Sequence, residues 1–232
     1  MFYSLPKKIQ LEPSQAKWAI DANQSVLLIA GLDDLKTVSN WQDSETNKHL
    51  KQLVKKAKAL EIPVIDLTVA QTSQAMMLLG EHLSYKKQLY VTGQITQQIK
   101  QLLDYIQSAT DEICIIEDAI YLQNIDQHLH WIEVISKQKI HHTNTYNLLR
   151  LWSLSAPKEQ ILSAKGILLA VAEQIELEPL EIDPTVNLRN YGLDSVSIVS
   201  LIGLWRANGA NISYEDFENG LSLADILKKI VL

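Results

Sequence analysis

One cysteine, two phenylalanines and no long apolar run set the first limits on this chain of 232 residues. The lone thiol, Cys114, cannot build an internal disulfide framework and fits a reducing compartment. No stretch approaches the roughly 20 consecutive apolar residues that a membrane-spanning helix needs. The N-terminus, Met1-Phe2-Tyr3-Ser4-Leu5-Pro6-Lys7-Lys8, lacks the charged-then-apolar order of a secretory signal. Together these absences give the expectation of a cytoplasmic protein without a membrane segment.

Positive charge is also scarce. Lys and Arg number 21 against 27 Asp and Glu, a net charge of -6. The deficit is uneven: from Ser155 onward there are 11 acidic and 6 basic residues, a net of -5. The 16 acidic and 15 basic residues before Ser155 leave only -1. Nucleic acid rewards basic surfaces, so it is not an expected partner. A small acidic region suits basic docking surfaces on partner proteins.

The hydrophobic share of 47% supplies core material for one large or two small domains. Residues 1 to about 25 are polar and punctuated by Pro6 and Pro13; they read as an arm over the first domain, anchored by Trp18 and Ile20. Ser25 to Gly31 is a continuous apolar run ending in glycine, the pattern of a buried parallel strand. An amphipathic helix from Asn47 to Leu60 follows, then strands at Ile62–Val69, Gln88–Gly93 and Glu112–Ile116. Helices are expected at Met76–Leu83, Ile95–Ile106 and Ile125–Ser136, and a last strand at Lys139–Thr143. Strands alternating with helices imply a small doubly wound α/β domain with a parallel sheet.

Ser153-Leu154-Ser155-Ala156-Pro157 reads as a linker. Beyond it lie a helix from Lys158 to Ile175, burying Ile161, Leu168, Val171 and Ile175, and a long loop to Arg189. A helix starting at Ser195, a short turn around Tyr214 to Phe217, and a helix from Ser222 to Val231 complete the chain. The expected domains are residues 1–152 and 157–232.

The second domain is organised around Asn190-Tyr191-Gly192-Leu193-Asp194-Ser195. Gly192 suits a tight turn that a side chain would strain. Asp194 is a natural N-cap, and Ser195 then falls in the first helical turn, where unpaired N–H groups and the helix dipole favour an anion. Ile198, Leu201, Ile202 and Trp205 repeat at helical spacing and form one buried stripe. Val196 and Val199 point off its edge. Val199, with Tyr214 in the short helix and Glu218 at the rim, makes a candidate partner-binding patch; mutual packing of Val199 and Tyr214 is the alternative.

Tyr191-Gly192-Leu193-Asp194-Ser195 resembles the attachment motif of acyl, peptidyl and aryl carrier proteins, over about Pro157 to Leu232. The resemblance implies a four-helix carrier bundle with 4′-phosphopantetheine on Ser195, the cofactor site including Gly192, Leu193 and Asp194. It implies a phosphopantetheinyl transferase as a partner. Along the first domain, Leu27 to Asp34 and Leu89 to Gly93 resemble an isochorismatase (cysteine-hydrolase-like) domain. Its fusion to an aryl carrier is known in catecholate siderophore synthesis. The pairing implies an adenylating ligase that loads an aryl acid such as 2,3-dihydroxybenzoate, and the condensation domain of a nonribosomal peptide synthetase. A homodimer through the first domain is implied as well.

The first domain departs from that family's active members. Gly31 stands where their first-strand aspartate belongs and Asp33 where a glutamine belongs; only Asp34 persists. The strand with the catalytic lysine has no room in the stretch Ala70 to Lys87, which leaves Lys86 and Lys87 at a turn. No nucleophilic cysteine or substitute occurs in Gln97 to Gln101, and Cys114 lies in an apolar strand as core. General acid–base chemistry needs positioned groups within reach of substrate. The expectation is therefore a non-catalytic relative with no catalytic residues.

His128 and His130 face different ways on a helix, and with His141 and His142 they lack clear ligand spacing, so no metal is expected. The lysines from Lys51 to Lys58 read as a solvated helix face. Glu117-Asp118-Ala119 follows a strand tip, where doubly wound folds place ligands. Two other functions are open: a bifunctional isochorismatase and carrier using Asp33 or Asp34, and an acyl carrier for another pathway.

Overall fold

Ser25 to Ala30, every residue buried, forms the strand β1 on which the first half of the chain is laid. The computed structural model describes residues 3–5, 16–67, 72–107, 110, 112–138, 140–217 and 221–230. It divides into two units, Met1–Trp152 and Ser153–Leu232.

In the first unit, α1 (Leu32–Thr37) and α2 (Glu45–Ala59) follow β1, then β2 (Val64–Leu67) and α3 (Thr72–Leu83). After them come β3 (Gln88–Gln94), α4 (Gln97–Ile106), β4 (Glu112–Tyr121), α5 (Ile125–Ser136), β5 (His141–Thr143) and α6 (Thr145–Ser155). All strands are parallel, in the order β2-β1-β3-β4-β5. The expected doubly wound parallel sheet is present; of the strand expected at Ile62–Val69, Thr68 and Val69 lie outside the described residues, as do Ala70 and Lys139.

Alternation along β1 sets the two cores. Val26, Leu28 and Ala30 pack with Leu79 of α3, Leu103 of α4 and Ile132 of α5. Ile29 faces the other way, onto Leu35, Trp41 and Leu50. Trp152 of α6 is fully buried, its Nε1 donating to Ser25 Oγ at 3.0 Å and its ring edge-on to Tyr90. The linker reading is thus corrected: Ser153 to Ser155 close α6, because Leu148 and Trp152 give that segment a buried side.

Strand β4 also runs further than its apolar core suggests. Val91 pairs with Ile115 and Gly93 with Ile120, so the residues from Ile116 to Ala119 bow outward within the strand. Glu117 and Asp118 therefore lie inside β4 and not past its tip, which corrects their expected position. Of the arm, Trp18 is half-buried, its ring 5.0 Å from that of His141, while Pro6 and Pro13 lie outside the described residues.

In the second unit the single helix expected from Lys158 to Ile175 is two: α7 (Lys158–Ile161) and α8 (Ala164–Gln174). Ser163 breaks them, its Oγ accepting the Gly166 amide at 3.0 Å as the N-cap of α8. Only glycine fits at 166, since a Cβ there would fall 2.0 Å from the Gln160 carbonyl oxygen. Ile167, Ala170 and Val171 are buried, whereas Leu168 and Ile175 are only half-buried. Then come α9 (Ser195–Ala207), a 3-10 turn at Tyr214–Phe217, and α10 (Leu223–Ile230). Trp205 and Phe217 stack with ring centroids 6.3 Å apart at the centre of this core. The long loop is tied to α10 where the Ala224 amide donates to the Pro184 carbonyl at 2.8 Å.

Candidate functional site

The start of α9 is built by three successive local devices. Asn187 caps the 3-10 turn Leu188–Tyr191, its side chain accepting the Arg189 amide. Gly192 ends that turn in the left-handed region at φ 93°, where a side chain would be strained. The chain then reverses and drives Leu193 into the core, 3% exposed. Asp194 follows as the N-cap of α9, its carboxylate accepting the Ser197 amide at 2.7 Å. Those hydrogen bonds hold its carboxyl below the usual value of 3.8.

Ser195 is therefore the first helical residue, and it is exposed. Four other serines lie between 165 and 230. Ser213 and Ser222 donate their hydroxyls to Asp216 and Asp225, and Ser222 is buried. Ser197 is half-buried and bonded to Asp194. Ser200 is exposed but lies in the second turn of α9, away from its terminal amides. Ser195 alone of the five joins an exposed hydroxyl to a helix start.

Beside it the surface is apolar. Val196 and Val199 are 78% and 58% exposed and Tyr214 is 37% exposed, on the rim of a stripe whose other side buries Ile198, Leu201, Ile202 and Trp205. Glu218, the expected rim residue, lies outside the described residues.

Residues 165–230 match the family model described as phosphopantetheine attachment site. The second unit holds a carrier domain. Such a domain carries 4′-phosphopantetheine covalently on a serine, and its own role is to carry, not to catalyse. The residues fit the group: an exposed serine stands at a helix N-terminus. Among curated proteins, no match to the chain is found. No helix among the described residues is long and apolar enough to cross a membrane.

In the first unit the residues compared with a hydrolase site lie as follows. Gly31, at φ 57°, is the left-handed N-cap of α1. A Cβ there would lie 3.1 Å from Gln94 Cβ and 3.3 Å from its Oε1, so Gln94 fills the space in which an aspartate would project. Asp33 and Asp34 are exposed on α1, and Lys36 holds Asp33 at 3.1 Å. Lys86 and Lys87 precede β3, whose first residue pairs with Ser25, so they sit at the opposite end of the sheet from Gly31. Lys86 donates to the Asn23 carbonyl at 2.7 Å. Gln97 to Gln101 open α4, and Cys114 is fully buried, its thiol pushed well above the usual value by burial.

His128, His49 and His142 also have partners within the first unit. His128 Nε2 donates to the Glu117 carbonyl at 2.8 Å, and Nδ1 accepts the Tyr3 hydroxyl at 2.8 Å. His49 Nδ1 donates to the Asp118 carbonyl, and His142 Nδ1 lies 3.3 Å from Glu117 Oε2. Asp118 Oδ1 accepts both the amide and the hydroxyl of Thr145. Among the described residues, no group of three or more His, Cys, Asp or Glu is placed to hold a metal ion. Sequence reasoning missed Tyr3, His49 and Thr145, whose partners lie 69 or more residues away for the first two and 27 for the third. No local pattern signals contacts of that range.

Proposed function

We propose that Ser195 bears the phosphopantetheine and that the protein is an aryl carrier of a nonribosomal peptide assembly line making a siderophore. The observation that carries the site assignment is the exposed Ser195 hydroxyl at the first turn of α9, inside the residues matched to the attachment family. Asp194 fixes the helix start and Leu193 anchors the turn, so the backbone that presents Ser195 is held in place. When bound, the group supplies a flexible thiol arm for an acyl thioester. A tether of that kind raises the effective concentration of its cargo at each partner.

The aryl cargo and the partners follow from the likeness of the first unit to isochorismatase-like domains. The parallel sheet is compatible with that likeness. Gln94 in the space above Gly31, the remote lysines and the buried thiol support a first unit without hydrolase activity. The rival in which Asp33 or Asp34 serves instead draws nothing from their exposed, Lys36-paired setting. The partners in this account are a phosphopantetheinyl transferase, an aryl-acid adenylating ligase and a condensation domain, in the cytoplasm, with a homodimer formed by the first unit. Val199 and Tyr214 form the docking patch, for which Glu218 is the expected rim residue.

Two experiments test this. Holo protein incubated with an aryl-acid adenylating ligase, ATP and 2,3-dihydroxybenzoate should gain the mass of the thioester. Loading by a fatty-acyl or aminoacyl ligase in its place would reassign the carrier to another pathway. For the patch, Val199→Asp and Tyr214→Ala should each cost about 1–3 kcal/mol of partner binding. Slower transfer with unchanged helicity supports the patch; unfolding of both variants, or unchanged transfer, removes it.

A further inference from the structure

Tyr3 ties the first described residues of the chain, Tyr3 to Leu5, to the carboxyl end of β4. Its ring is half-buried, stacked on Tyr121 with centroids 5.2 Å apart and set edge-on to His128. It packs against the apolar cluster that holds Ile29, Leu35, Trp41 and Leu50. Its hydroxyl oxygen accepts the Leu122 amide at 2.9 Å and stands 2.8 Å from His128 Nδ1. His128 is fully buried on α5, with its other nitrogen, Nε2, 2.8 Å from the Glu117 carbonyl. A carbonyl only accepts, so the neutral ring carries its proton on Nε2 and Nδ1 receives the proton of Tyr3. The contact is complete with a neutral imidazole and fails with a charged one. A proton added at Nδ1 would aim at an oxygen that already accepts one hydrogen bond, and the hydroxyl proton would lose its acceptor.

Two other histidines meet the same bowed stretch of β4 and respond to acid in the opposite sense. His49 Nδ1 lies 3.6 Å from a carboxylate oxygen of Asp118, and His142 Nδ1 lies 3.3 Å from Glu117 Oε2. A proton on either ring completes an ion pair. His128 meets Glu117 at its backbone carbonyl instead. The titratable groups around His128 are Tyr3, Tyr121, Glu117 with its partner His142, and Asp118 with its partner His49; Asp126 and His130 share its helix. Lys100 of α4 lies over the ring of Trp131. Burial holds His128 below its usual 6.5, and the carbonyl and charge of Glu117 act the other way without overturning this.

We propose that Tyr3 and His128 form an acid-released clasp: a proton on His128 Nδ1 frees Tyr3 from β4 and uncovers Tyr121, while the bow, held by His49 and His142, stays in place. The carboxyl end of a parallel sheet is where doubly wound folds take ligands, so the clasp governs access to that end of β4. With Tyr3 released, His128 titrates nearer its ordinary value. Closure is therefore complete above 6.5 and weakens as pH falls from there, by at most about tenfold per pH unit for one proton.

Hydrogen exchange of the Leu122 amide, followed by NMR on the full chain and corrected for the intrinsic pH dependence of exchange, tests this between about pH 7.5 and about pH 5.5. Protection of Leu122 should fall by about tenfold over that interval, and that of Leu28 and Val91 in the central strands should fall less. His128→Gln, which offers an acceptor and a donor but does not titrate, should flatten the Leu122 profile. Tyr3→Phe keeps the ring and removes the hydroxyl. It should show the reduced Leu122 protection already at neutral pH, and it should raise the pH at which His128 titrates, since nothing then competes with the proton for Nδ1. Leu122 protection that is unchanged in acid overturns the clasp. So does an equal loss at Leu28 and Val91, or a profile in His128→Gln identical to that of the parent. If His128→Gln does not fold, Tyr3→Phe decides alone: an unmoved His128 titration overturns the proposal.

Discussion

Carboxylates are used in opposite ways by the two units. In the first, Asp66 and Asp118 are pushed up from the usual 3.8, chiefly by desolvation, and the Asp118 carboxylate accepts from Thr145 and lies 3.6 Å from His49 Nδ1. In the second, Asp183, Asp194, Asp216 and Asp225 are all held below 3.8 by hydrogen bonds to hydroxyls, amides or Lys229, and none of them is buried. The first unit turns its polar groups inward to brace a bowed strand. The second puts them outside, at the starts of short elements, where they fix the backbone and leave one serine hydroxyl presented.

The largest expected effects come from the two buried tryptophans. Trp152→Ala and Trp205→Ala should each cost about 3–5 kcal/mol in their own core, the usual range for emptying a buried aromatic site. Trp205→Ala removes the stacking partner of Phe217 and should abolish phosphopantetheinylation. Trp152→Ala should leave labelling of Ser195 intact while lowering the first unit's stability by chemical denaturation. If both variants lose labelling alike, the carrier domain's site is not locally built and the contrast breaks.

A smaller effect sharpens the same contrast in the first unit. Gly31→Asp restores the residue type of active hydrolases, but at φ 57° and against Gln94. It should destabilise by about 1–3 kcal/mol, the cost of a strained backbone position. It should produce no hydrolysis of isochorismate above background. Turnover in this variant would show that the lost aspartate was the one missing part.

The smallest effect is in pH dependence. Burial holds His128 and His141 below 6.5, so the unfolded chain binds protons that the folded one does not. Their contribution is complete above 6.5 and is lost as pH falls from there toward the depressed values. The raised Asp66 and Asp118 oppose this only nearer 3.8, where the folded state takes up protons first. The depressed aspartates of the second unit contribute above 3.8 and lose that contribution only as pH falls through their folded values. Each is open to solvent and screened, so each is weak. Hydrogen exchange between neutral pH and about pH 5 should loosen the first unit before the second. The reverse order would contradict the assignment of the buried histidines.

Much of the local order was legible in the chain. The apolar run at Val26 to Ala30 fixed a central strand, the helix expected at Ile125–Ser136 is α5, and Gly192 with Asp194 marked the start of α9. What escaped depends on pairing or on weak patterns. The bow in β4 exists only in its register with β3. Helix α1 is six residues long and buries only Leu35, too little for a period to show. In α6, exposed Tyr146, Leu151 and Leu154 blur the stripe of Leu148 and Trp152. The break before α8 did have a signal, Ser163 three residues before Gly166, but the apolar spacing runs through it. At the candidate site, the backbone of the attachment turn was legible because each step is a local cap.

The central claim is that Ser195 is the residue that carries the prosthetic group. Intact-mass spectrometry after incubation with coenzyme A and a broad-specificity phosphopantetheinyl transferase tests it most directly, on the full chain and on Ser195→Ala. The expected result is one added phosphopantetheine on the former and none on the latter, with Ser200→Ala labelled like the parent. Labelling that survives in Ser195→Ala would contradict the claim.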